Sequence, residues 1–366
     1  MIKVTLTNEI LKYITEIEQN RYKVSSIKLS QTVMNKLRKN SKKKSTYASN
    51  KIEGNPLSEK QVDEVIENDE RKHYLKPEQE VRNYFLALNF LEKKITKKET
   101  FSKKLILDVQ KLVEKGASKE KIGFRGPMPP GVLFAVYDSK TGRPDYIPPE
   151  YCDIPNLLDE LVTYVNTTDD HPLIVAAVVH YQLVTIHPFE DGNGRTARLL
   201  SGYIMDLNGY GFNGIGSLEE YFAYDIDEYY ESIQMGLPEL YYSGRDNPPH
   251  PEIWINYFLR MVKLYSGKVC DLQMASNEED VAASLSFLKG KEKELLRLLI
   301  MDYKGEFTPI EVSRKLSVTN KTIINRLAVL VKNGFVVPIL VNQRIRSYEL
   351  SKFTRDNEEE IMKAIL

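Results

Sequence analysis

His187-Pro-Phe-Glu-Asp191-Gly192-Asn193-Gly194-Arg195-Thr-Ala-Arg198 is the stretch on which the reading of this chain turns. His187 is an imidazole whose unperturbed pKa lies near neutrality, the property of a general base. Asp191 is a carboxylate suited to a hard cation such as Mg²⁺. Gly192-Asn193-Gly194 can turn sharply and bring bare backbone N–H groups close to an anion. Arg195 and Arg198, three apart at the start of an apolar run that reaches Met205, share a helix face beside its electropositive N-terminus. Base, cation ligand, anion cradle and two guanidinium groups together describe a site for phosphoryl or nucleotidyl transfer.

The same residues resemble the signature of the Fic (filamentation induced by cAMP) family, HPFx[D/E]GNGRxxR, with no departure at any specified position. The resemblance implies a mainly α fold: a Fic-type helical core with a small β-hairpin flap, an N-terminal helical region and a C-terminal winged helix-turn-helix domain. It implies a nucleotidyltransferase that moves AMP from ATP to a Ser, Thr or Tyr hydroxyl of a target protein, or of itself. By that likeness His187 deprotonates the attacking hydroxyl and Asp191 places Mg²⁺ on the phosphates. Gly192, Asn193 and Gly194 form the anion hole, and Arg195 and Arg198 neutralise the outer phosphates. His180, seven residues before His187, lies two turns back on one helix. It reads as a ligand, a second base or a structural histidine packed beneath the site, and no partners for metal binding accompany it.

Well upstream stands Ser49-Asn-Lys-Ile-Glu53-Gly54-Asn-Pro56, a helical segment that carries a carboxylate into a Gly-Asn-Pro stop. Ser49-x-x-x-Glu53-Gly54 resembles the family's inhibitory signature, [S/T]xxxE[G/N]. Ahead of the core in one chain, that signature implies autoinhibition. Glu53 is expected to reach Arg198, because an Arg–carboxylate pair is strong and geometrically specific. Such a pair occupies the guanidinium needed for the γ-phosphate. Ser49 is expected to cap or hydrogen-bond within its own helix.

The chain has 366 residues, which predicts two or three domains. The expected division is an N-terminal helical region over 1–75, a catalytic core over 76–268, a helical linker over 269–288 and a winged helix over 289–366. Lys plus Arg number 51 and Asp plus Glu number 51, so no global field argues for nucleic acid or membrane. Only two cysteines, Cys152 and Cys270, are present, as in reduced cytosolic proteins. The longest apolar stretch, Leu173 to Val179, is too short to span a bilayer. A soluble cytoplasmic protein, with no membrane partner, is expected.

Between Lys121 and Pro149 the chain turns rich in Gly and Pro, and short strand-like pieces over about 132–147 predict a β-hairpin. In the family a hairpin here is the flap, with landmarks that Arg125 and Tyr146-Ile-Pro-Pro149 resemble. It would hold the target segment as an added strand. Further on come Tyr221, Tyr224, Tyr229 and Tyr230, a stripe of the kind that usually packs in a core; the resemblance sets Tyr229 and Tyr230 over the adenine.

The C-terminal part reads as three helical patterns and two strands about a tight turn. That order resembles a winged helix-turn-helix, with Thr319 or Asn320 capping the recognition helix. Between Lys289 and Glu349 twelve Lys and Arg stand against six Asp and Glu, an excess that fits DNA backbone contacts through 289–350. Winged helices also serve protein contacts. Two alternatives to AMP transfer therefore stand: a de-AMPylating hydrolase using the same site, with Glu53 positioning water, and a DNA-binding regulator with the Fic core as sensor. The resemblance also implies a homodimer.

Overall fold

A computed structural model describes residues 2–68, 73–117, 122–132, 134–137, 142–235, 250–341 and 344–365. Residues 138–141 and 342–343, the expected turns of the two hairpins, lie outside the described residues. The chain forms two compact units, one of Met1–Arg21 with Leu37–Val269 and the other of Tyr22–Lys36 with Cys270–Leu366. Residues 1–75 are thus no unit of their own, because 1–21 and 37–75 belong with the core.

The order begins α1 (Asn8–Ser26), α2 (Gln31–Ile52), α3 (Glu59–Glu67), α4 (Lys76–Thr96) and α5 (Lys103–Val113). It continues β1 (Val136–Tyr137), β2 (Pro144–Tyr146), α6 (Ile154–Thr167), α7 (Pro172–Ile186) and α8 (Asn193–Leu207). Then follow α9 (Glu219–Tyr224), α10 (Ile226–Gln234) and α11 (Pro251–Ser286).

Helix α7 organises the first unit. Its sequence is apolar on every side, and Leu173 to Val179 are each at most 5% exposed. A helix without a polar face must be surrounded. Helix α8 packs along it, and Trp254 of α11 donates its indole N–H to the Ala177 carbonyl at 2.8 Å.

Helix α2 buries small polar side chains instead: Ser41, Ser45, Thr46, Ser49 and Asn50. Gly54 then ends the helix in the left-handed conformation, φ +78°, where a side chain would be strained. Its N–H donates to the Lys51 carbonyl at 3.0 Å, and Asn55 N–H to Asn50 at 3.0 Å. That stop leaves Glu53 at the tip of α2.

In the second unit come α12 (Gly290–Asp302), α13 (Pro309–Leu316), α14 (Asn320–Lys332), β3 (Val336–Val341), β4 (Arg344–Leu350), α15 (Lys352–Asp356) and α16 (Glu358–Ile365). Leu295, Leu299, Ile323, Leu327, Phe335 and Leu350 share its core. Of the two candidate caps for α14, Thr319 serves, its hydroxyl accepting from Thr322 N–H at 3.3 Å. The helical linker expected over 269–288 is helical through Ser286, as the second half of α11. No helix among the described residues is long and apolar enough to cross a membrane.

Candidate active site

The motif is the elbow between α7 and α8. His187 closes α7 with φ +49°, a left-handed conformation uncommon for a residue with a side chain, and its N–H donates to Leu183 at 3.1 Å. Arg125 holds the bend. It is 5% exposed; its Nε donates to the His187 carbonyl at 2.8 Å, and a terminal nitrogen donates to the Pro149 carbonyl at the flap's end.

The His187 ring places Nδ1 3.2 Å from the Val184 carbonyl. A carbonyl only accepts, so Nδ1 carries the proton and Nε2 keeps its lone pair. Burial pushes the imidazole down to about 4, helped by Arg125 and opposed by the Val184 bond and the carboxylates of Glu53 and Asp191. A neutral imidazole with its lone pair on Nε2 is a base at physiological pH.

Beyond it the chain turns on Gly192, φ +82°. Asn193 braces the turn from within: its Nδ2 donates to Phe189 O at 2.9 Å and its Oδ1 accepts from Phe189 N at 3.0 Å. Asn193 therefore shapes the cradle more than it points into it. Gly194 opens α8, and a Glu53 carboxylate oxygen lies over it, in the space a Cβ would take. One anion thus already sits against this backbone.

Asp191 Oδ1 accepts from Gly192 N–H at 2.6 Å and from Arg195 Nη2 at 3.3 Å, and 37% of its side chain stays exposed. No group of three or more His, Cys, Asp or Glu suited to a metal occurs among the described residues. A single accessible carboxylate beside an anion cradle fits Mg²⁺, which is held by one or two carboxylates with phosphates completing the shell.

Arg198 is claimed from four directions. Its Nε donates to Ser49 Oγ at 2.8 Å, and its Nη2 to the Ser49 carbonyl at 3.1 Å and to Glu53 Oε1 at 2.6 Å. Nη1 lies 3.4 Å from the Tyr229 hydroxyl. Ser49 was expected to bond within its own helix; its hydroxyl instead accepts from Arg198, because an ionised donor makes the stronger bond. Burial opposes ionisation of Glu53, but Arg198 and then Arg195 outweigh it and hold the carboxyl below its ordinary range.

The tyrosine pair divides. Tyr229, expected over the adenine, is 1% exposed, with its ring among Phe222, Trp254 and Tyr257, so it offers no face to a base. Its hydroxyl lies 2.8 Å from His180 Nε2. Tyr230 is 48% exposed, and Glu53 is among the charges that act on it. His180 is fully buried and held neutral by that burial, which makes it a brace for Tyr229.

Two residues outside the motif were missed. Glu114, 1% exposed, puts Oε1 2.9 Å from Arg195 Nη2. The N–H is not aimed at that oxygen, so the contact is an ion pair and not a directed hydrogen bond. Burial lifts the Glu114 carboxyl to about 7 despite Arg195, with Asp191 adding to the rise. Gln110, also 1% exposed, donates to the Asp191 carbonyl at 3.3 Å. The usable signal was polar Gln110 among the apolar positions of α5. Arg195 itself is 3% exposed and faces this cluster.

The flap stands over the same end of α7. Val136 pairs with Tyr146 in antiparallel register, and the Tyr146 hydroxyl donates to the Thr185 carbonyl at 2.7 Å. Phe134 lies 5.9 Å from the His187 ring, centroid to centroid.

Residues 100–205, which span α5 through the motif into α8, match the Fic/DOC family. That stretch is similar to a Fic domain. The chain is 26% identical over 204 residues to the protein adenylyltransferase Fic of Drosophila grimshawi, covering 54% of this chain and 40% of that one. To the protein of that name from Nematostella vectensis it is 29% identical over 202 residues, covering 53% and 44%. The chain thus spans less than half the length of these curated relatives. Among solved structures, a Fic family protein from Desulfovibrio desulfuricans shares the fold over 96% of this chain and 98% of its own, with TM-score 0.60 and 20% identity. Fic-1 of C. elegans does so over 73% and 72%, with TM-score 0.56 and 24% identity. The Fic fold is mainly α with a small antiparallel hairpin.

Proposed function

We propose that this chain is a protein AMP-transferase that uses ATP and is restrained by Glu53. The observation that carries the reading is the seat of the Glu53 carboxylate, over Gly194 and on Arg198, where a nucleotide's phosphates would lie. The names of its relatives support AMP as the group transferred.

In the reaction, His187 Nε2 takes the proton of a target hydroxyl as its oxygen bonds to the α-phosphorus. The bond from that phosphorus to the bridging oxygen breaks, and pyrophosphate leaves with the electron pair. Arg198, freed from Glu53, stabilises the outer phosphates, and the first backbone N–H groups of α8, beyond the Gly192 N–H that Asp191 takes, would meet the developing charge. Asp191 would hold Mg²⁺, which supplies charge neutralisation on the phosphates. A target segment would pair with the flap and so bring its hydroxyl over His187.

The test is intact mass spectrometry after incubation with Mg-ATP, comparing wild type with Glu53→Gly. One AMP added to the variant, or to a protein supplied with it, supports the reading. Hydrolysis of an AMP-modified protein without any forward transfer would replace it with the hydrolase.

The second unit carries its own surface chemistry. Lys321 of α14 and Arg344 and Arg346 of β4 are exposed. We assign these to DNA backbone contacts, tested by a gel shift that persists in His187→Ala and weakens steeply with salt. Both cysteines are free thiols, which supports a cytoplasmic location.

A further inference from the structure

Helix α5 lies outside the twelve-residue motif yet holds it at two points from one face. Gln110 and Glu114 are four apart, one turn along the helix into its C-terminal cap. Gln110 Nε2 donates to the Asp191 main-chain carbonyl at 3.3 Å, and its Oε1 accepts from Gly123 N–H at 3.2 Å, which fixes the amide's orientation. Glu114 Oε1 lies 2.9 Å from Arg195 Nη2, and that nitrogen donates to Asp191 Oδ1 at 3.3 Å. The main chain of Asp191 is therefore held from α5 directly, and its carboxylate is held through Arg195.

Gln110, Glu114 and Arg195 are 1%, 1% and 3% exposed, so water does not screen the arrangement. A buried guanidinium requires counter-charge. In its ionised form Glu114 shares Arg195 with Asp191, at 2.9 and 3.3 Å from the same nitrogen. Without it the cation falls back on Asp191, which then carries less free negative charge toward solvent. Gly192 belongs to the same construction. A Cβ there would lie 2.5 Å from Glu114 Oε1, so the glycine both makes the turn and admits Glu114.

We propose that Gln110 and Glu114 are positioning residues that set the direction and effective charge of Asp191 for a divalent cation. This rests on the AMP-transfer reading, in which Asp191 holds Mg²⁺. Neither residue touches the nucleotide; both act through the Asp191 turn.

The experiment uses the full chain carrying Glu53→Gly, so that no carboxylate fills the cradle. Binding of a fluorescent ATP analogue is titrated with Mg²⁺ and repeated in EDTA, for this parent and for Glu114→Gln and Gln110→Ala added to it. The expected result is a rise of about tenfold or more in the Mg²⁺ half-saturation concentration for Glu114→Gln, in line with losses on removing outer partners of a metal ligand. Gln110→Ala shifts the same way by less, and binding in EDTA holds. Unchanged half-saturation in both variants overturns the proposal. So does an equal loss with and without Mg²⁺, which marks a purely architectural role. A parent that binds no ATP analogue at all instead removes the AMP-transfer reading, and this proposal with it.

Discussion

Glu53 and Arg198, 145 positions apart in the chain, meet at 2.6 Å over the first turn of α8. The arginine is 3% exposed, and Ser49 Oγ completes its inner side at 2.8 Å. Glu53→Gly leaves Arg198 to a triphosphate. A hydrogen bond to a charged group is worth about 1.5–3 kcal/mol net, so transfer of label from ATP should rise by about tenfold to a hundredfold. A rate equal to wild type would remove Glu53 from the regulation.

Ser49→Ala tests the same restraint from its other end. Arg198 Nε loses its acceptor while the Glu53 contact remains, so activation should occur and be smaller than in Glu53→Gly. Steady-state label transfer for the two variants side by side decides; a silent Ser49→Ala would make the hydroxyl a passive neighbour.

His187 should behave as a base that is neutral throughout the working range. With its imidazole pushed down to about 4, it is deprotonated and competent above that pH and protonated below it. Glu53 raises this pKa, so its removal moves the transition lower still. The rate of Glu53→Gly is therefore expected to stay level from pH 8 to pH 6 as far as His187 is concerned. A loss centred near 6.5 would mean a solvated imidazole. His187→Ala should cost about 10²–10⁴ in rate.

Tyr229 and Tyr230 should part company under mutation. Tyr229→Phe removes the hydroxyl from His180 Nε2 and leaves buried groups short of a partner, at a cost of about 1–3 kcal/mol. Thermal melting should register it. Tyr230→Ala, at an exposed ring, should leave melting unchanged and raise KM for ATP. The reverse pattern would return Tyr229 to the nucleotide.

In the second unit, Arg344→Ala is expected to lower the slope of log affinity for DNA against log salt by about 1, whatever the sequence of the duplex. A gel shift indifferent to salt would assign β4 to other partners.

The elbow between α7 and α8 was legible in the sequence. His187, Asp191 and the glycines carry their chemistry in their residue types, and local spacing is enough to place them on one elbow. The pairing of Glu53 with Arg198 was legible only through resemblance, since no local pattern joins positions so far apart. Ser49 was misread because helix-internal bonding is the short-range rule, and a buried arginine from α8 outcompetes it. Tyr229 and Tyr230 are adjacent and chemically alike; which one packs inward depends on where α10 lies against Phe222 and Trp254. Glu114 escaped notice because the run Lys111-Leu-Val-Glu-Lys115 looks like any solvated helix end. Only the fold reveals that this end faces Arg195.

Gly194 has a consequence for how such a protein can change over generations. The hollow left by its missing side chain admits the chain's own carboxylate and, in the proposed reaction, the substrate's phosphate. Enlarging that residue would evict brake and fuel together. Release from the proposed inhibition by drift is therefore channelled to the tip of α2, where Glu53 alone can be lost while the hollow stays intact.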